Sequence, residues 1–183
     1  MRGIPGKHNV PQWILGSSMS SANLAARLGL PYSFAPHFAP HFLRDAVTHY
    51  RANLKPSAVL DTPYVIAGVN VFAADTQQEA QYHASSHFHW VNLLYQGRPR
   101  PLPEEDYLQR ISATERHNRQ QGTAYTAMGN VTQVGDWLRR FITLSEADEL
   151  IIDARIHDPV ALCRSYQLAA EDLMTRKSSP LEK

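Results

Sequence analysis

The segment Gly16-Ser17-Ser18-Met19-Ser20-Ser21 lies where the apolar run Trp13-Ile14-Leu15 gives way to an alanine- and leucine-rich helical pattern that closes at Gly29. A strand, a glycine, small hydroxyl residues and a helix start in that order describe an anion site. The first turn of a helix has backbone N–H groups without internal partners, the positive end of the macrodipole lies there, and serine hydroxyls add donors suited to phosphate oxygens. Gly16 would let the backbone come close to the ligand. A second reading is favoured by the residue types alone: serine is a preferred helix cap, so Ser17 or Ser18 terminates the strand-to-helix turn and binds only water.

Other reactive side chains offer less. The chain has nine histidines, and His83 and His87, spaced i, i+4, share one helix face at a spacing zinc can use. His89 points elsewhere, no glutamate sits inside the pair and no third ligand is evident, so a solvated polar face is expected and no metal is assigned. The single cysteine, Cys163, excludes an internal disulfide and a multi-thiolate metal site, and its place in an apolar helical pattern predicts a small buried side chain. Asp153, at the end of the last expected strand, either touches a ligand or caps the following turn. Trp13, Trp90 and Trp137 lie in apolar stripes or strands and are expected in packing. Arg139-Arg140 and Arg176-Lys177 read as solvated charge.

The elements that position these residues follow from hydrophobic periodicity. Four short apolar runs predict strands, at Trp13 to Gly16, Tyr32 to Ala35, Tyr64 to Ala73 and Glu149 to Ala154, each followed by a segment of helical period. The first and last are continuous rather than alternating, as in parallel strands covered on both faces. Leu43, Val47, Tyr50 and Leu54 mark one helix stripe within His41 to Leu54, ended by Lys55-Pro56. Ala80, Ala84, Phe88, Val91 and Tyr95 mark a long helix begun at Asp75-Thr76 and stopped at Gly97. A third stripe runs through Val134, Trp137, Leu138, Phe141 and Ile142, and a fourth through Leu162, Tyr166, Ala169 and Leu173, opened by Asp158-Pro159. The polar stretch 104–122 reads as an exposed excursion, and 176–183 as a short frayed tail.

Composition limits the partners. With 183 residues, 43% hydrophobic and 19% charged, the chain is of a size to bury one core. A formal net charge of +1, from 18 basic and 17 acidic residues without a basic run, gives no field for nucleic acid. No apolar run approaches the roughly 20 residues of a membrane helix, and Met1-Arg-Gly-Ile-Pro-Gly lacks the apolar stretch of a secretory signal; a cytoplasmic location is expected.

The segment from Ile4 to Pro40 resembles the luciferase-like flavin-dependent monooxygenases. The similar stretches are Ile4-Pro5-Gly6, Asn9-Val10-Pro11 through Leu15-Gly16-Ser17-Ser18, Leu24-Ala25-Ala26 with Leu28-Gly29-Leu30-Pro31-Tyr32, then Phe34-Ala35 and His37-Phe38-Ala39-Pro40. Tyr50-Arg51 with Lys55-Pro56-Ser57, Val69-Asn70-Val71 with Ala73-Ala74-Asp75-Thr76, and Ala147-Asp148-Glu149-Leu150 follow in the family's order. The resemblance implies an α/β fold cut from a TIM (β/α)8 barrel that binds reduced FMN at the carboxyl ends of its strands. It places Gly16, Ser17 and Ser20 at the FMN phosphate, and His37, at the end of the next strand, on the same barrel face toward flavin or substrate. Where the family commonly has a small polar residue before that histidine, this chain has Pro36, which fixes the local backbone.

Full members of the family are about twice as long, so the expected domain, residues 1–175, is the C-terminal half of the barrel with about four parallel strands and their covering helices. The other half carries the family's base for oxygen chemistry, and no catalytic residue is assigned here. The expected function is an FMN-dependent monooxygenase or oxidoreductase, truncated and inactive alone, acting on an unknown small organic substrate with flavin reduced by a separate reductase or by NAD(P)H. The alternative is a non-catalytic flavin- or phosphate-binding module. A half barrel has unpaired strand edges and an uncovered inner face, so either a homo-oligomer formed through those edges or a weakly folded chain is expected.

Overall fold

The computed structural model of the protein describes residues 10–98 and 123–175. The elements run β1 (Ile14–Gly16), α1 (Met19–Leu28), β2 (Tyr32–Phe34), a single 3-10 turn (Pro40–Phe42), α2 (Leu43–Asn53), β3 (Val65–Ala73), α3 (Gln77–Tyr95), β4 (Thr126–Gly129), α4 (Val131–Ser145), β5 (Glu149–Asp153) and α5 (Pro159–Thr175). The excursion 104–122, the tail 176–183 and the stretch Ile4 to Asn9 lie outside the described residues.

All strand pairs are parallel, as the continuous apolar runs require. β3 is the organising strand. It pairs with β2 through Val65 to Ala67, with β5 through Ile66 to Asn70, and with β4 through Asn70 to Ala73. Among the described residues β1 pairs only with β2 and so forms an edge. Among the described residues the sheet has five strands where about four are expected, because Thr126–Gly129 is also a strand. Its four residues alternate between half-buried and buried, too short a run of period 2 to be read from sequence against polar neighbours.

Strand parity separates two faces. Val65, Ala67, Val69, Val71 and Ala73 pack into the main core with Ala22, Ala25 and Ala26 of α1, Leu43, Val47 and Tyr50 of α2, Val134, Leu138 and Phe141 of α4, and Leu168 and Ala169 of α5. On the opposite parity, Phe72 packs with Ala84 and Phe88 of α3 and with Ile156. Four helices therefore cover one face, and α3 covers part of the other.

Helix ends follow local chemistry. The Thr76 side chain caps α3 by accepting from Glu79 N–H, and Asp158 accepts from the N–H groups of Val160 and Ala161 at the start of α5. The expected stripe of α5 holds at Ala169, which is buried, and at Leu162 and Leu173, which pack against the core, whereas Tyr166 is 39% exposed; Ser165 and Leu168 are buried beside them. Cys163, two positions before Ser165 and thus about 200° around the helix, is exposed rather than buried. Ser165 lies inward because its hydroxyl accepts from Ala73 N–H at 2.9 Å.

Candidate functional site

Adjacent parallel strands bring the candidate residues to one end of the sheet. Gly16 and Phe34 are register partners, and Ala35 N–H donates to the Gly16 carbonyl at 3.0 Å. The segments Ser17 to Ser21 and Pro36 to Phe38 thus leave neighbouring carboxyl ends, where parallel α/β sheets place ligands.

The serine turn divides its hydroxyls between two tasks. Ser18 is the N-cap of α1: its Oγ accepts from Ser21 N–H at 3.3 Å, while Ser21 Oγ accepts from Ser18 N–H at 3.2 Å. Ser21 also reaches the Tyr32 hydroxyl at 3.0 Å, and burial raises the pKa of that phenol. A Cβ on Gly16 would collide with the Cβ and Oγ of Ser21, so the glycine is required by this cap. Ser18 and Ser21 therefore satisfy the helix-cap reading, and Ser17 and Ser20 stand outside the reciprocal pair. Ser17 is half-buried, and Ser20 lines a shallow groove of about 360 Å³ with Met19, Asn23 and His49.

A second, deeper feature lies beneath α3. A cavity of about 370 Å³ is bounded by His37 and Phe38 after β2, Asn70 on β3, His87, Trp90, Val91 and Leu94 on α3, and Arg155 after β5. Gly68 makes room for the first of these, since a Cβ there would lie 3.3 Å from His37 Nε2. Asn70 Nδ2 donates to Thr126 Oγ1 at 3.3 Å. The Arg155 guanidinium sits 4.2 Å above the Trp90 ring while its Nε donates to Asp153 at 3.0 Å. Asp153 is thus held by an arginine and does not serve as a simple turn cap.

The two histidines are electrostatically alike. Burial lowers the pKa of His37, opposed in part by the charge of Asp153. Burial, reinforced by the Arg155 charge, brings His87 down to about 3. Both imidazoles are neutral at pH 7, each with one N–H donor and one bare nitrogen acceptor. Among the described residues neither ring nitrogen of His87, which is 2% exposed, has a hydrogen-bond partner, and His37 Nδ1 has none. Such groups call for water or a ligand, because a buried unsatisfied polar atom costs about 1–3 kcal/mol.

Sequence reasoning placed Gly16, Ser17, Ser20 and His37 at this end of the sheet and missed His87, Trp90, Asn70 and Arg155. Two signals were present. Asn70 is a polar interruption in the apolar run of β3, and His87 falls on the stripe Ala84, His87, Phe88, Val91, the buried face of α3. Trp90 borders the cavity rather than serving packing alone. His83 does not converge with His87: it faces Glu79 at 3.7 Å while His87 turns to the sheet. Among the described residues no group of three or more metal-ligating side chains comes together, and no helix is long and apolar enough to cross a membrane.

A parallel sheet with helices on its faces and a pocket at the carboxyl ends of its strands is an α/β arrangement. The family is more specific. A family profile described as luciferase-like monooxygenase matches residues 2–153, and the chain belongs to that family. An Escherichia coli K12 luciferase-like monooxygenase is 36% identical over 174 residues, covering 93% of this chain and 52% of that protein. The Bacillus subtilis protein YvbT is 38% identical with the same coverage, so the chain spans about half the length of these relatives. Among solved structures, apo-MsnO8 superposes with a TM-score of 0.80 at 32% identity over 93% of this chain and 55% of its own. The oxygenating constituent of 3,6-diketocamphane monooxygenase from Pseudomonas putida, solved with FMN, gives 0.62 at 13% identity over 90% of this chain and 48% of its own, a likeness of fold.

Proposed function

We propose that this chain forms the carboxyl-end half of an FMN-dependent luciferase-like monooxygenase, with Ser17, Ser20 and the first-turn N–H groups of α1 at the FMN phosphate and His37 toward flavin or substrate. The observation that carries the reading is the serine turn: the cap uses Ser18 and Ser21 and leaves Ser17 and Ser20 beside a helix N-terminus, within a match to the family over residues 2–153. Gly16 supports that turn through Ser21 rather than through a ligand contact of its own. When bound, reduced FMN, regenerated by a separate reductase or by NAD(P)H, supplies the electrons for oxygen activation. The chain's own residues bind and orient it: hydroxyls and N–H groups hold an anion, and the neutral His37 offers a hydrogen bond without adding charge.

Titration with FMN and riboflavin, followed by flavin fluorescence, tests this. FMN binds more tightly than riboflavin because only FMN carries the phosphate, and the double substitution Ser17→Ala, Ser20→Ala brings the two together. Equal affinities in the unmodified chain, or no binding at tens of micromolar, reject the site. The alternative, a flavin- or phosphate-binding module without chemistry, draws on the site itself, where both cavity histidines are neutral and Asp153 is paired with Arg155. Oxygen consumption with photoreduced FMN separates the two readings.

The same reading includes a second copy of the chain. Register places Leu15, 69% exposed, and Ile151, 51% exposed, on the face of the sheet that carries Ile66, Gly68 and Asn70. Exposed Trp13 and Tyr64 stack edge to face, with ring centroids 5.7 Å apart. The exposed Leu15 and Ile151 on that face, with β1 as an edge among the described residues, favour association of two halves across it. Sedimentation at micromolar concentration is expected to show a dimer, and a stable, cooperative monomer would rule this out.

A further inference from the structure

We propose that Gly68 is a positioning residue for His37: the bare backbone of β3 at that point lets the imidazole lie against the sheet, and so fixes how His37 meets a ligand at the carboxyl ends of the strands. That the ligand is a flavin rests on the function proposed above; the placement of the ring does not. β3 runs for nine buried residues from Val65 to Ala73, and Gly68 is its one glycine. Glycine inside a strand costs conformational entropy and packs nothing, so it marks a place where something else comes close. Conformation does not call for it here. Gly29, Gly97, Gly129 and Glu146 are the described residues with positive φ, so the backbone of Gly68 would accept alanine. Space is the constraint: a Cβ on Gly68 would lie 3.3 Å from His37 Nε2, and 3.5 Å from both the Phe34 carbonyl oxygen and Pro36 Cδ. All three atoms belong to the one segment that leaves β2.

Of those three neighbours the imidazole is the one that can move. Phe34 is paired with Gly16 in the sheet, and Ala35 N–H donates to the Gly16 carbonyl at 3.0 Å. Pro36 is fully buried, and its ring fixes the backbone. A separation of 3.5 Å is ordinary packing, whereas 3.3 Å asks the neighbour to give way. An alanine methyl is therefore accommodated by the carbonyl and the proline and opposed by the imidazole. In response His37 turns away from β3, out of the half-buried position where Asp153, Arg155 and His87 act on it. Gly68 thus acts on the site through His37.

Gly68→Ala, His37→Ala and the double substitution, each in the full chain, separate this role from that of a merely structural glycine. In urea titration Gly68→Ala is expected to lower the midpoint when His37 is present. When residue 37 is alanine the same change is expected to raise it, because it then only narrows the unfolded ensemble. The imidazole nitrogen resonances of His37 shift in Gly68→Ala, and their titration moves from below 6.5 back toward it as the ring loses burial. With flavin as ligand, Gly68→Ala and His37→Ala each weaken FMN and riboflavin by the same factor, about fivefold, the worth of one hydrogen bond. The double substitution weakens them no further than His37→Ala alone. A midpoint that falls equally in both backgrounds, His37 signals unmoved by Gly68→Ala, or a double substitution that multiplies the two losses overturns the inference. If Gly68→Ala alone does not fold, a folded double substitution upholds it and an unfolded one overturns it. Absence of flavin binding removes the flavin reading alone, and the midpoints and resonances then decide the placement of the ring.

Discussion

Lowering the pH from 7 to 5 should destabilise this protein through His87, and replacing that residue should remove the effect. Burial, with Arg155 and His37 facing it, brings the folded-state pKa down to about 3 from an ordinary value of 6.5. The unfolded chain therefore takes up a proton first. Stability is full above the unfolded value, falls as pH drops through 6.5, and levels off near 3, by about 1.4 kcal/mol per pH unit for one proton. Between pH 7 and pH 5 the loss is about 2 kcal/mol, a large share of the 5–15 kcal/mol typical of a domain. In urea, with a slope of about 2 kcal/mol per molar, the midpoint shifts by about 1 M. His37, lowered by the same cause, adds in the same direction, so the test is a difference: urea midpoints at both pH values for the unmodified chain and for His87→Leu. The variant should lose less stability by about 2 kcal/mol. An identical loss in both proteins, or a His87 nitrogen resonance titrating near 6.5 in the folded state, would refute the burial argument.

Three further perturbations test other contacts. Asp148→Ala removes the acceptor for Val65 N–H and Arg51 Nη2, each at 2.8 Å, where β5 begins beside β3. A loss of about 1–2 kcal/mol is expected, and Arg51→Ala should lose less because Val65 keeps its partner; the reverse order in urea titration would show that the ion pair, not the strand anchor, matters. Gly16→Ala forces Ser21 out of the capping box and should destabilise by at least the roughly 1 kcal/mol expected of Ser18→Ala; a thermal melt indistinguishable from the unmodified chain would count against the close approach. The exposed Cys163 should react with a disulfide reagent such as DTNB in the folded protein without denaturant, whereas protection until unfolding would return it to the core.

Most of the framework was legible because it rests on local chemistry. The turn at Gly16 to Ser21 carries its own cap, the β3 run is apolar enough to be buried on both faces, and Thr76 and Asp158 announce α3 and α5. β4 was not legible, since its pairing with β3 through Asn70 to Ala73 is a tertiary fact and four residues carry too little periodicity to signal it. On α5 the expected stripe fails at Tyr166, and the burial of the polar Ser165 rests on a tertiary contact, its hydroxyl accepting from Ala73 N–H on β3.

The cavity was hidden by a different ambiguity. A helix stripe states that one side is buried, not which face of a sheet it meets, and β3 is apolar at both parities, Val71 toward the four-helix core and Phe72 toward α3. A continuous apolar strand thus predicts two covered faces and cannot distribute five helices between them. The distinguishing residue is Asn70, buried on the parity of Phe72 and bordering the same cavity as His87. A polar side chain in the middle of a doubly buried strand must meet a partner, and its parity names the face on which that partner lies. Combined with a histidine on a buried helix stripe, that parity is consistent with α3 over the Asn70 face, where Asn70 finds its partner in Thr126 of β4 and His87 packs against Phe72.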